Sequence, residues 1–160
     1  MLPDVGPVHT ISVIPTGAGA AGYTMPLPEK DEMFITKGKM LQEIMVSLGG
    51  RIAEELILDD VTTGASQDIK QATATAKAMV TKYGFSEKLG LINYDDDSDD
   101  VFIGRDLAHS KGYGESTASA IDDEVRGIVE ECYEKAKVII MDHMSQLHQS
   151  AESVSYTHLT

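Results

Sequence analysis

The chain has 160 residues, 26 acidic against 13 basic side chains, a formal charge of −13, 42% hydrophobic residues and one cysteine, Cys132. Such a length suits a single domain that buries roughly two thirds of its unfolded surface, and a lone cysteine excludes a disulfide framework and a cysteine-based zinc finger. The acidic excess argues against nucleic acid as a partner, and no apolar run approaches the roughly 20 residues of a membrane span.

Val8 to Ile14 alternates with period two and closes at Pro15, which predicts a half-buried strand. Gly22 to Leu27 carries Pro26 and is followed by Pro28, which suits an edge strand and forbids a helix, so the two segments predict a hairpin. From Thr36, a possible cap, the period changes. Met40, Leu41, Ile44, Met45, Leu48, Ile52 and Leu56 fall at helical spacings. Gly49 and Gly50 interrupt that helix, each at a cost of about 1 kcal/mol relative to alanine, which predicts another backbone packed very close there. Asp59 to Ala65 reads as a connection. A second helix is predicted from about Ser66 to Tyr83, burying Ile69, Ala72, Ala76, Met79 and Tyr83 and stopping at Gly84. Asp95 to Asp100 is too self-repelling for anything but a solvated loop. A long helix from about Ser116 to about Ser150 repeats Ile121, Val125, Ile128, Cys132, Ala136, Ile139 and His143 along one stripe. The expected fold is mainly α with a small antiparallel β-hairpin.

Several chemical signatures fail on inspection. Gly17 to Gly22 matches G-x-G-x-x-G, but Tyr23-Thr24-Met25-Pro26-Leu27-Pro28 follows, where a dinucleotide site needs a helix start. An EF-hand loop needs glycine at its sixth position, where the acidic run has Asp100. There is no G-x-S-x-G elbow, and Cys132 within an apolar stripe is expected to be an inert small hydrophobe. His143 and His148 are five residues apart, roughly 140° around a helix, so they do not form a chelating pair. Asp68, in the first turn of the second helix, suits the helix dipole. It also suits a single carboxylate ligand of a zinc whose other ligands lie elsewhere, with Glu54 and Glu55 either supporting groups or a solvated acidic pair.

Longer stretches carry a resemblance. Pro7-Val8-His9 leading to Ile11-Ser12-Val13-Ile14-Pro15, then Gly22 to Glu29, Leu48-Gly49-Gly50-Arg51-Ile52-Ala53-Glu54-Glu55, Thr62-Thr63-Gly64-Ala65-Ser66-Gln67-Asp68 and Met79 to Gly90 follow in order, with Val101-Phe102-Ile103-Gly104-Arg105 and Ile121 to Val125 after them. Together they resemble the peptidase domain of the FtsH-type ATP-dependent zinc metalloproteases over residues 2–150. Gln67, Gly112 and Gly114 depart from the family's habits.

The resemblance implies an FtsH-like peptidase fold, present incompletely, and a zinc site in which Asp68 is the third protein ligand. The other two ligands and the general base belong to an H-E-x-x-H helix. Neither that motif nor the phosphate loop G-x-x-x-x-G-K-[ST] occurs in these residues. ATP and magnesium are therefore expected only through an ATPase module outside this chain, and this chain alone is expected to be inactive. Thr62, Thr63 and Gly64 are expected to line the cleft or position Asp68. Glu54 is expected to stand behind the ligand, and the strand from Gly22 through Tyr23, Thr24 and Met25 to hold extended substrate by strand addition. The intact protein is expected to be a homohexamer on the cytoplasmic side of a membrane, degrading membrane and unfolded proteins. The alternative is a non-catalytic assembly module derived from that domain. Residues 1–150 are expected to be a partial metallopeptidase domain, and 151–160, which read like one frame of a sequencing adapter, a non-native tail.

Overall fold

Strand alternation on either side of the glycine-rich tip yields an antiparallel pair, β1 (Val8–Ser12) and β2 (Tyr23–Pro26). The computed structural model describes residues 2–14, 22–26, 34–95 and 113–158. The dinucleotide-like run before Gly22, the acidic run beyond Asp95, Val101 to Arg105, His109 and Gly112 therefore lie outside the described residues. In the ladder Ile11 pairs with Thr24 and Ser12 with Tyr23, with an irregularity between Val8 and Thr10. A Cβ on Gly22 would sit 2.4 Å from the Ser12 carbonyl oxygen, so only glycine admits this approach of the strands.

The expectation of a half-buried strand is corrected. Val8, Ile11, Val13, Tyr23 and Met25 are all exposed, because among the described residues the sheet has two strands and no layer covers either face. The segment leading into β1 is instead tied to the helices by polar contacts. The Asp4 backbone N–H donates to Gln42 Oε1 at 2.8 Å, and Gln42 Nε2 donates back to Asp4 Oδ2. Gln42 is buried, so this reciprocal pair satisfies an amide that would otherwise destabilise the fold.

Three helices form the core. The first, α1 (Lys37–Leu58), starts where Thr36 Oγ1 accepts from the Lys39 N–H at 3.1 Å, the cap read from the sequence. Its Met40, Ile44, Leu48 and Ile52 recur every fourth residue and are buried against Ala72, Ala76 and Met79 of α2 (Ser66–Thr81) and Cys132 and Ala136 of α3 (Glu115–Asp142). The alanines let α2 lie close to both neighbours. Val80 and Thr81, absent from the predicted stripe, are buried as well, whereas Ile69 and Tyr83 stay exposed. The helix ends at Thr81, before Tyr83, and Gly84 follows with φ +63°.

No described residue packs closely on Gly49 or Gly50, where a helix outside this chain is the partner the resemblance suggests. Cβ atoms built on them find nothing within 4 Å among the described residues, because these glycines lie off the face that α1 presents to α2 and α3. The single long helix is also corrected to two, α3 and α4 (Met144–His158). At the break His143 has φ −122°, its N–H donates to Ile140 three residues back, and its ring Nδ1 donates to the Ile139 carbonyl at 2.8 Å. A side chain competing for the last-turn carbonyls is a recognised cause of helix interruption. The backbone is helical again through His158, into the stretch set apart as a tail.

Between α2 and α3, Glu124 gathers the loop. Its carboxylate accepts from Ser86 Oγ at 2.7 Å and pairs with Lys88 Nζ at 2.7 Å, which holds it below its ordinary value of 4.5, Lys88 first and Ser86 second. No described helix is long and apolar enough to cross a membrane.

Candidate metal centre

The corner between α1 and α2 is built by one carboxylate. Glu54, on the next-to-last turn of α1, accepts from the Thr62 backbone N–H at 3.0 Å and from the Thr62 hydroxyl at 2.8 Å. Thr62 Oγ1 in turn accepts from the Gly64 N–H at 3.1 Å and so caps a single 3₁₀ turn, Thr63–Ala65, that runs directly into α2. The Thr62 N–H, then its hydroxyl, then the charge of Arg51 hold the Glu54 carboxyl below its ordinary value of 4.5. Asp68 is the acidic residue in the first turn of α2, and its side chain is exposed.

Asp68 opens on a groove of about 760 Å³ between the hairpin and the outer face of α1. Val8, Ile11, Val13, Gly22, Tyr23 and Thr24 wall one side, and Val46, Ser47 and Gly50 the other. Of the expected substrate strand, Gly22, Tyr23 and Thr24 border the groove and Met25 does not. Thr62, Thr63 and Gly64 lie outside its lining, and Glu54 reaches Thr62 rather than Asp68. Glu55 turns the other way: it accepts from Tyr133 and, at 2.8 Å, from Lys137, joining α1 to α3. Its carboxyl is held below 4.5 by Lys137 first and Tyr133 second.

The α1 wall of the groove escaped the sequence reading. A signal was available: Val46, Ser47 and Gly50 are small or β-branched residues off the core stripe, spaced as one face of a helix.

Cys132 takes no part in any of this. It is buried in the helical core, its thiol lies 3.6 Å from the Leu41 carbonyl, and burial pushes it up to about 11. A thiol so raised is a poor nucleophile near neutrality, as read from the sequence.

Among the described residues no three His, Cys, Asp or Glu side chains come together as a metal-binding group. Asp68, a hard oxygen donor at a helix start that borders the groove, has the chemistry for one carboxylate position of a metal site and not for a whole one.

A family model, Peptidase family M41, matches residues 1–157. The chain belongs to peptidase family M41. Among its M41 relatives, the ATP-dependent zinc metalloprotease FtsH of Caldicellulosiruptor bescii is 48% identical over 154 residues, which is 96% of this chain and 25% of that protein. ATP-dependent zinc metalloprotease FtsH 1 of Thermoanaerobacter sp. is 44% identical over the same shares of the two chains, and FtsH 2 of Methylacidiphilum infernorum is 46% identical over 96% of this chain and 24% of that protein. The chain thus spans about a quarter of the length of the curated relatives it matches. In this M41 chain the segment Thr62 to Asp68 is the α1–α2 corner, and of it Asp68 shares the groove with Gly22, Tyr23 and Thr24 of the hairpin.

Proposed function

We propose that this chain is the part of an ATP-dependent zinc metalloendopeptidase that contributes the carboxylate zinc ligand, Asp68, and one wall of the substrate groove. The observation that carries the reading is the placement of Asp68 at a helix start, facing a groove whose opposite wall is an exposed strand pair, in a chain that belongs to family M41. Two histidines and the general base come from residues outside this chain. Zinc, when bound, supplies Lewis acidity toward water and the scissile carbonyl. Asp68 holds one position of the metal and offsets part of its charge. Among the described residues β2 pairs only with β1, so its other edge offers backbone N–H and C=O groups to an extended peptide, which reads main chain rather than side chain and suits unfolded substrates. The apolar side chains of Val8, Ile11 and Val46 narrow the space available to water. The whole protein, on this reading, is a homohexamer on the cytoplasmic side of a membrane that takes membrane and unfolded proteins, with ATP and magnesium bound by a separate module.

Joining the preceding segment that carries the two histidines to this chain is expected to create zinc-dependent cleavage of an unfolded protein, and Asp68→Ala to abolish it together with stoichiometric zinc retention. Cleavage at the parental rate in the Asp68→Ala protein would sink the ligand assignment. Binding of this chain to full-length subunits without any gain of cleavage on adding that segment would favour a non-catalytic assembly module instead.

A further inference from the structure

Among the described residues no hydrogen bond or ion pair orients the Asp68 carboxylate, so its position is inherited from the backbone of the α2 start. That start has no side-chain cap of its own: Ala65 occupies the N-cap and makes no capping hydrogen bond. The nearest capping group is Thr62 Oγ1, one 3₁₀ turn earlier, and both of its polar contacts are spoken for, toward Gly64 on one side and Glu54 on the other. Gly64 has no slack either. A Cβ there would lie 3.1 Å from Thr62 Oγ1 and 3.7 Å from Glu54 Oε1.

We propose that Glu54 is a positioning residue for Asp68: its two oxygens clamp Thr62, Thr62 caps Gly64, and the capped turn fixes where α2 begins and hence where the Asp68 carboxylate points. The identity of Asp68 as a metal ligand rests on the reading above, but the clamp does not. A carboxylate is suited to this task because it accepts two hydrogen bonds in one plane, and a charged acceptor strengthens both. Glutamine keeps one acceptor and loses the other; alanine loses both.

The test uses the chain as it stands and follows backbone amide exchange residue by residue. In Glu54→Ala the amides of Thr62, Gly64 and the first turn of α2 are expected to exchange about tenfold faster or more, as loss of hydrogen bonds to a charged acceptor implies. Amides of Leu48, Ala76 and Cys132 in the core should keep their parental rates. Glu54→Gln should fall between, and Thr62→Ser, which keeps the hydroxyl, should match the parent. Should Glu54→Ala not fold, Thr62→Val gives the same reading, since it removes only an exposed hydroxyl. Parental exchange from Thr62 to Ile69 in Glu54→Ala and Thr62→Val would overturn the clamp, as would a uniform acceleration across core and corner. Asp68→Asn should leave exchange at the corner unchanged. A clamp that holds while Asp68→Ala cleaves normally in the longer protein would show the ligand assignment, not the clamp, to be wrong.

Discussion

The two faces of α1 obey different rules. Its inner face places Met40, Ile44, Leu48 and Ile52 against α2 and α3, with Ile44 and Ile52 wholly buried. Its outer face offers Val46, Ser47 and Gly50 to the groove, and the strand pair beyond it keeps its own apolar side chains exposed. The helical side is held by apolar burial, which is non-directional and large in sum; the hairpin side is held through polar contacts such as Asp4 with Gln42, which are directional and individually modest. The apolar core and the open groove thereby lie on opposite sides of one helix.

The comparison is broken most severely from the inside. Ile52→Ala removes a fully buried side chain and is expected to destabilise the chain by about 2–5 kcal/mol, read as a lower urea midpoint with an unchanged slope. A loss below about 1 kcal/mol would show that the helical side is not a close-packed core. Asp4→Ala acts on the other side. It leaves the buried Gln42 amide without its side-chain acceptor and is expected to cost about 1–3 kcal/mol, with amide exchange in β1 and β2 rising well before exchange in α1. Equal acceleration in strands and helices would mean the two sides unfold as one unit.

The smallest effect is electrostatic and sharpens the contrast within the helical side. Because Glu124 is held below 4.5 by Lys88 and Ser86, its contribution is present above that value and fades as pH falls through its lowered folded value. Lys88 is raised above 10.5 by the same pair, so its share is lost only in strong base. Since Lys88 extends into water the effect is screened. Glu124→Gln is expected to flatten the fall in stability below pH 4.5, measured by urea titration across that range; an identical pH profile would remove Glu124 from the acid response.

How much of this was legible in advance follows from which residues act locally. The Thr36 cap, the every-fourth-residue stripe of α1 and the alanine face of α2 are set by short-range spacing, and each was readable. Asp68 stood out through its neighbours in the Thr62 to Asp68 run and through family likeness, not through its own chemistry. The break at His143 was hidden, because a histidine that turns its ring onto the Ile139 carbonyl has the same place in the apolar stripe as one that does not. The partners of Glu54 and Glu55 were equally hidden. Adjacent on one helix and alike in type, they diverge by about 100° around the axis, so one meets Thr62 and the other Tyr133 and Lys137. The glycine pair stays open for a related reason: spacing reveals small residues but not what lies against them, and no described residue does.

The reciprocal bonding of Asp4 and Gln42 has a mechanical consequence. Asp68 rides on the three-helix body, whereas the segment leading into the facing wall is joined to α1 by the two hydrogen bonds between Asp4 and Gln42. Among the described residues the two walls of the groove are thus held by different means, apolar burial behind Asp68 and directional hydrogen bonds ahead of the hairpin, so a change at Asp4 or Gln42 acts on one wall alone.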